Sequence, residues 1–300
     1  MRTTREIIQN ALKAKKVVPS FNVAYLDMVP PMVDALRDTG SFGLIAVARP
    51  EWVKFHAKSL RAVRDAYEAH KDERHTRLHL DHVPVIDEDG QQVDFAALIA
   101  EGIELGYGSV MIDGSRLPLE QNIAATHQMA DLAHRSGVPI EGELGAVLGH
   151  EAGPLPPYEE LFASGKGFTD PDQAGRFVRE TLVDWLSVAI GNVHGAISDA
   201  RHQKKIEARL DIEHLKRIRK TTGVPLVLHG GSGIQKAYIL RSIGEGIAKI
   251  NVATTIRQPY EAALKAGEPL AKAQKGAYDA TVRVITEELE IVGSAALVNP

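Results

Sequence analysis

The chain has 300 residues, of which 44% are hydrophobic and 25% are charged, a composition typical of a folded globular protein and not of a disordered one. Its formal net charge of -4 gives no general attraction to nucleic acid or to anionic membranes, so an anionic ligand must be held by local groups. Cysteine is absent, which excludes disulfides, thiolate metal sites and a cysteine nucleophile.

The first predicted element is an amphipathic helix over residues 3–15, whose Ile7, Ile8, Ala11 and Leu12 share one face. No secretory pattern of an apolar segment and a small-residue cleavage site precedes or overlaps it. The chain also has no apolar run of about 18 residues, the length that a membrane span requires. We therefore expect a cytoplasmic protein without membrane contact.

Eight short runs rich in β-branched residues follow, and each predicts a buried strand. They cover residues 17–23, 42–48, 76–82, 107–113, 139–145, 185–191, 224–230 and 247–253. Helix-period segments such as 94–105 and 118–137 separate them, and this alternation predicts parallel strands with right-handed crossovers.

Eight such units predict an α/β fold, a closed (β/α)₈ TIM barrel with an extra N-terminal helix at its bottom. Length alone would also permit two domains, but no linker rich in Pro, Gly or Ser divides the chain, so we expect one domain over residues 1–300. A last helix over about 274–290 forms a C-terminal extension. Its apolar face packs on the barrel or on another subunit, and we expect a homodimer or a homotetramer.

Polar residues at the carboxyl ends of the predicted strands are the candidates for chemistry, because barrel enzymes place their active sites there. They are Asn22, Asp81, His82, Asp113, Glu143, His194, His229 and Asn251. Three imidazoles from three strands, His82, His194 and His229, would make a Zn²⁺ site that keeps one position open. The alternative is three separate hydrogen-bonded histidines, and the spacing does not decide between them because no short ligand motif is present.

The stretch "TRLHLDH" (76–82) raises a problem of direction. Residues three apart on a regular strand point to opposite faces, so His79 and His82 cannot both face the barrel mouth. We expect His82 to bind metal and His79 to support the site. The same alternation separates Asp81 from His82 unless the strand ends or bends there.

Two segments follow the last two strands, the glycine- and serine-containing "HGGSG" (229–233) and the threonine-containing "NVATT" (251–255). Loops at these places in barrels commonly bind phosphate through backbone N–H groups and a helix N-terminus. The glycines could instead serve only to turn the chain, but the loops after both strands have features of a phosphate site. Two long non-periodic stretches, about 146–169 and 192–209, are expected as loops on the same face.

In order along nearly the whole chain, the segments "VPSFNV", "LHLDH", "GYGSVMIDGSRLPLEQNI", "EGELG", "FTDP", "VAIGNVHG", "GVPLVLHGGSG" and "KINVAT" resemble the zinc-dependent class II ketose-bisphosphate aldolases. This family includes fructose- and tagatose-bisphosphate aldolases. Ala253, where fructose-type members often have an aspartate, is more similar to the tagatose branch. The resemblance implies reversible cleavage of a ketose 1,6-bisphosphate to dihydroxyacetone phosphate and an aldehyde such as glyceraldehyde 3-phosphate.

The resemblance also implies roles for individual residues. One Zn²⁺ per subunit would bind His82, His194 and His229, with Glu143 as an accessory ligand. Asp81 would exchange a proton with the C4 hydroxyl, and Glu151 with the dihydroxyacetone phosphate carbon. The expected substrate- and phosphate-binding residues are Asn22, Gly195, Gly230, Ser232, Asn251 and Thr254, and a monovalent cation is expected at Val193, Gly195, Gly230 and Ser232.

The sequence departs from the family after the second strand, in "AVARPEWVKF", where relatives have small polar residues and often a serine that contacts the distal phosphate. Either Arg49 makes this contact or the second phosphate is absent. In the predicted loop, Ala152 follows Glu151 where an acidic residue is common. The alternatives are therefore the same chemistry on a different, non-phosphorylated aldehyde, and, more distantly, a zinc hydrolase or a non-catalytic barrel that binds sugar phosphates.

Overall fold

The computed structural model describes residues 1–147, 158–192 and 208–300, and within them eight parallel strands close into a barrel in sequence order. The strands are β1 (Val18–Asn22), β2 (Gly43–Val47), β3 (Thr76–Pro84), β4 (Ser109–Asp113), β5 (Ile140–Leu144), β6 (Trp185–Val188), β7 (Leu226–Leu228) and β8 (Ile247–Val252). Each strand pairs with the next, and β8 pairs with β1. The predicted TIM barrel is confirmed.

Helices surround the barrel in the alternating order that the sequence predicts. They are α1 (Thr4–Ala14), α2 (Val29–Asp38), α3 (Arg49–Val53), α4 (Leu60–His70), α5 (Phe95–Glu104), α6 (Leu119–Arg135), α7 (Tyr158–Ser164), α8 (Pro171–Thr181), α9 (Ile212–Thr222), α10 (Lys236–Gly244), α11 (Thr254–Lys265), α12 (Leu270–Arg283) and α13 (Ala295–Val298). Within the described ranges, no helix is both long and apolar enough to cross a membrane.

Helix α1 closes the bottom of the barrel. Thr3 and Glu6 form a reciprocal capping box at its start, which satisfies backbone donors that have no partner within the helix. Its buried face, including Ile7 and Ile8, packs in one apolar cluster with Trp185 at the beginning of β6. The amino ends of the strands therefore lie on the face that α1 covers, and their carboxyl ends lie on the opposite, open face of the barrel.

Two predicted segments differ from the structure. The stretch 146–169 contains α7, a helix of seven residues that is too short to give a clear periodic signal, with Tyr158 and Leu161 buried. The last long helix begins at Leu270 and ends at Arg283, and a π-helical turn over Val284–Glu288 continues it. Helix α12 packs against α11 and α2 of the same chain.

Strand β3 contains the irregularity that positions the site. Leu80 pairs with Val110 and Val83 pairs with Ile112, so β3 advances three residues while β4 advances two. His82, inside this bulge, has φ 32°, in the left-handed region that non-glycine residues seldom adopt. A β-bulge bends its strand and redirects a side chain, and here it interrupts the alternation that separates Asp81 from His82.

Candidate active site

Asp81 is fixed inside the upper barrel by side chains from β1 and β8. Its carboxylate accepts hydrogen bonds from Nδ2 of Asn22 at 2.8 Å and from Nδ2 of Asn251 at 2.8 and 2.9 Å. Burial alone would raise the pKa of Asp81, but the charge of Lys249 and the neighbouring His79 hold that pKa well below its ordinary value. Asp81 is thus an ionised, oriented carboxylate that can accept a proton.

His82 and His229 meet beside it. Nε2 of His82 lies 2.6 Å from Nδ1 of His229, and the rings are arranged edge to face. Glu143 on β5 completes a group in which one ligand atom from each of the three residues lies within 4.8 Å of the others. The buried Oε2 of Glu143 has no hydrogen-bond partner in the part of the chain that the structure describes.

This donor set fits a metal ion. Two imidazole nitrogens and a carboxylate oxygen are ligands that Zn²⁺ takes in proteins, and catalytic zinc sites have three protein ligands. A bound cation would also provide the missing partner for the Glu143 oxygen. The third predicted imidazole, His194, lies outside the described residues.

The carboxylate of Asp113 sets the orientation of His82. Oδ2 of Asp113 lies 3.3 Å from Nδ1 of His82, while its Oδ1 accepts from the N–H and the hydroxyl of Ser115. The Nδ1 of His82 is thereby occupied, and Nε2 faces the site.

The three candidate metal ligands have strongly shifted pKa values. Burial opposes the charged form of His82, but the Asp113 hydrogen bond and the charge of Glu143 raise its pKa to about 10. Burial and the charge of His82 lower the pKa of His229 to about 4. Burial and the charge of Asp113 raise the pKa of Glu143 to about 8. Such displaced values on neighbouring groups are common at functional sites.

Behind His229 lies a second layer that the sequence reasoning missed. Nε2 of His229 lies 2.7 Å from Oε1 of Glu141, and Oε2 of Glu141 accepts from the indole of Trp185 at 2.6 Å. Lys249 Nζ is 2.8 Å from the same Oε2. A signal was available, since Glu141 and Lys249 each lie two residues before a predicted site residue, Glu143 and Asn251, and so share its inward face.

His79 is fully buried and supports the site from one layer below. Its Nδ1 lies 2.8 Å from Oγ of Ser109 on β4, and its Nε2 lies 3.6 Å from Oδ1 of Asp81. Burial and the charge of Lys249 lower its pKa. The alternation of β3 therefore brings His79 and Asp81 inward together, while the bulge turns His82 into the same site.

The two predicted phosphate loops lie side by side above β7 and β8. Gly230 has φ 68°, and a Cβ on Gly231 would lie 2.7 Å from the backbone oxygen of Asn251, so only glycine fits at position 231 without a shift. Oγ of Ser232 accepts a hydrogen bond from the N–H of Thr255 at 3.3 Å, which joins the loops. Thr254 is the first residue of the 12-residue helix α11.

The end of β2 continues directly into α3. The Arg49 guanidinium pairs with Asp87 at 3.1 Å. Glu51, which the sequence reasoning also missed, turns back to accept a hydrogen bond from the N–H of Ala48 at 2.5 Å. Burial and the charge of Asp81 raise the pKa of Glu51 to about 8.

The structure thus brings seven of the predicted residues into one site and places others around it. The seven are Asn22, Asp81, His82, Asp113, Glu143, His229 and Asn251, and Gly230, Ser232 and Thr254 lie on the adjoining loops. Arg49 is held by Asp87. The predicted Glu151, Ala152, Val193, His194 and Gly195 fall outside the described residues.

The chain is similar to a known family of enzymes. The model of the family "Fructose-bisphosphate aldolase class-II" matches residues 2–296. The structure is similar to the YdjI aldolase from Escherichia coli K12, at 28% identity with a TM-score of 0.75 over 97% of this chain and 98% of that one. It shares its fold with a putative fructose-1,6-biphosphate aldolase from Coccidioides immitis, at 23% identity with a TM-score of 0.77 over 98% of each chain. The Campylobacter jejuni fructose-bisphosphate aldolase also has this fold, at 18% identity with a TM-score of 0.69 over 96% of this chain and 94% of that one.

Proposed function

The chain belongs to the class II fructose-bisphosphate aldolase family, and we propose that it is a zinc-dependent aldehyde-lyase that reversibly cleaves a ketose 1,6-bisphosphate of the fructose or tagatose type. The products would be dihydroxyacetone phosphate and an aldehyde such as glyceraldehyde 3-phosphate. The observation that carries the proposal is the ionised Asp81 carboxylate, held by two asparagines, beside the His82, His229 and Glu143 group.

His82, His194 and His229 would hold one Zn²⁺, with Glu143 as an accessory ligand. When bound, the ion would supply a Lewis acid that stabilises negative charge developing on the ketone oxygen. The two described imidazoles support this assignment, because Nε2 of His82 and Nδ1 of His229 face each other at 2.6 Å and their other nitrogens lie against Asp113 and Glu141.

Two carboxylates would move the protons of the reaction. Asp81 would take the proton of the C4 hydroxyl during cleavage, a role supported by its ionised form and by the fixed orientation that Asn22 and Asn251 impose. Glu151, outside the described residues, would exchange the proton at the dihydroxyacetone phosphate carbon. A position on a separate loop would let closure over the substrate bring in this group and exclude water.

The C1 phosphate would bind between the loops that follow β7 and β8. Gly230 and Ser232 would offer backbone and hydroxyl donors from one loop, and Asn251 and Thr254 would contribute from the other. The N-terminus of α11 adds a favourable dipole. Gly195, outside the described residues, would complete this group, and a monovalent cation would bind near Val193, Gly195, Gly230 and Ser232.

A second candidate keeps this chemistry and changes the aldehyde partner to a non-phosphorylated one. It is favoured by the end of β2, where the guanidinium of Arg49 is already paired with Asp87 and the carboxyl of Glu51 is buried nearby. If Arg49 instead binds the distal phosphate, the substrate is a bisphosphate, as in the leading proposal. A zinc hydrolase or a non-catalytic barrel would leave the paired phosphate loops or the oriented Asp81 without a role.

We further propose one domain over residues 1–300 in a cytoplasmic homodimer or homotetramer, without nucleic-acid or membrane partners. Light scattering during gel filtration measures the subunit number directly. A monomer would reject this part of the proposal.

The reaction is tested by chelator-sensitive, zinc-restored release of dihydroxyacetone phosphate. Fructose 1,6-bisphosphate, tagatose 1,6-bisphosphate and a ketose 1-phosphate are compared in parallel. Cleavage of a bisphosphate supports the leading proposal and identifies the C4 preference, and cleavage of the monophosphate alone supports the second candidate. Release from none of the three would reject bisphosphate cleavage and would favour an unrelated aldehyde partner or a binding role.

A further inference from the structure

Lys249 is a buried lysine in the middle of the barrel. It lies on β8, two residues before Asn251, and its side chain has no solvent exposure. Its Nζ lies 2.8 Å from Oε2 of Glu141 and 3.8 Å from Oδ1 of Asp81. Burying a charged group costs free energy unless the group is paired, and an apolar residue at this position would carry no such cost. The presence of a lysine here therefore calls for a role other than stability.

Glu141 is the group through which Lys249 reaches the metal-ligand candidates. One of its oxygens faces both Lys249 and the Trp185 indole, and the other lies 2.7 Å from Nε2 of His229. A carboxylate at this nitrogen accepts its proton in a hydrogen bond, which leaves Nδ1 of His229 as the lone-pair nitrogen facing His82. The orientation of the His229 ring thus depends on where the Glu141 carboxylate is fixed.

We infer that Lys249 is a positioning residue, whose ammonium fixes the Glu141 carboxylate so that His229 presents Nδ1 to the metal site. This inference rests on the proposed metal-dependent function, but it concerns metal binding and not turnover. It assigns to Lys249 no contact with substrate and no covalent role.

A second feature of the same residues is consistent with this role. Asp81, Glu141 and His229 also place ligand atoms within 4.8 Å of one another. The Lys249 ammonium lies against two of these three groups and supplies the positive charge that such a cluster attracts. The lysine therefore keeps a metal ion at the His82 side, where the imidazole nitrogens face each other.

The test is the affinity of the full-length protein for Zn²⁺, measured by competition with a chromophoric chelator, together with the stoichiometry of bound metal. We expect Lys249→Met and Glu141→Gln each to weaken binding by about 10- to 100-fold, the range found when partners of metal-bound histidines are removed. Since Lys249 acts through Glu141, adding Lys249→Met to Glu141→Gln should change the affinity by less than about threefold. The visible spectrum of the Co²⁺ form should change in the single variants.

The matched control is Lys236→Met, the same chemical change at an exposed lysine on α10, which should leave the affinity unchanged. If Lys249→Met does not fold, Lys249→Gln takes its place in the same cycle. Unchanged or tighter binding, additive losses in the double variant, or a second bound ion would each overturn the inference. A parent protein that binds Zn²⁺ tightly but cleaves no sugar phosphate would reject the proposed function and leave this inference standing.

Discussion

Glu51 gives the sharpest stability prediction. Its pKa rises from 4.5 to about 8 in the folded protein, first because it is buried and then because Asp81 is close. The folded state therefore holds a proton that the unfolded chain releases near pH 4.5. The stability that the neutral carboxyl contributes is fully present below pH 4.5 and is lost as the pH rises to about 8.

Glu51→Gln removes this dependence and keeps an oxygen that can accept from the Ala48 N–H. Each pH unit within the window is worth about 1.4 kcal/mol. Because half of the Glu51 carboxyls in the folded protein are already ionised at pH 8, the free energy of unfolding of the variant should gain about 2 kcal/mol on that of the parent between pH 6 and pH 8. The gain should level off by about pH 9.

Urea unfolding followed by circular dichroism at pH 6, 7, 8 and 9 measures this difference. Glu104→Gln, the same change at the exposed last residue of α5, is the control. A difference between Glu51→Gln and the parent that stays constant with pH would show that Glu51 does not titrate in this window, and the reasoning from its burial would fail.

Three further predictions concern the site itself. His82→Ala should reduce the zinc content after dialysis from about one ion per chain to less than about a tenth of that, measured by atomic emission, and parent-like content would remove His82 from the ligands. Asp81→Asn should lower kcat for cleavage by about 10²- to 10⁴-fold with a small change in KM, and a parent-like rate would reject its role as base. Trp185→Phe deletes the indole donor to the buried Glu141 carboxylate and should destabilise the fold by about 1.5–3 kcal/mol in urea unfolding. Equal stability would show that this hydrogen bond has no net value.

The fold could be predicted because its signals are local and repeated. Eight times along the chain, a short run of β-branched residues is followed by a segment with helical periodicity. Eight such repeats with right-handed crossovers permit only a few arrangements of parallel strands. The boundaries of the elements were predicted less accurately than their order. The strand predicted over residues 224–230, for example, covers only Leu226–Leu228 in the structure. Pro225 and His229 on either side of this strand are buried as well, so burial and composition do not show where the strand begins and ends.

The site could be predicted only in part, because its decisive feature is a break in regularity. A regular β3 would point Asp81 and His82 to opposite faces, and no residue type between Leu80 and Val83 indicates the bulge that prevents this. Glu51 was missed for a different reason. Its position three residues after Ala48 is that of an ordinary helix-capping glutamate, and its burial beside the site depends on tertiary packing.

The charged layer inside the barrel is explained better by chemistry than by stability. Replacing buried ion pairs with apolar residues of similar size is often neutral or stabilising, so stability does not require Asp81, Glu141 and Lys249 at inward positions. Apolar residues at these positions could not, however, keep the Asp81 carboxylate ionised or hold the Glu141 carboxylate against Nε2 of His229. The lower layer around Trp185 is apolar and closes on α1, whereas the polar layer lies directly above it. The indole of Trp185 belongs to both, because its ring packs below and its N–H reaches Glu141, and through this side chain the stability of the core is coupled to the geometry of the site.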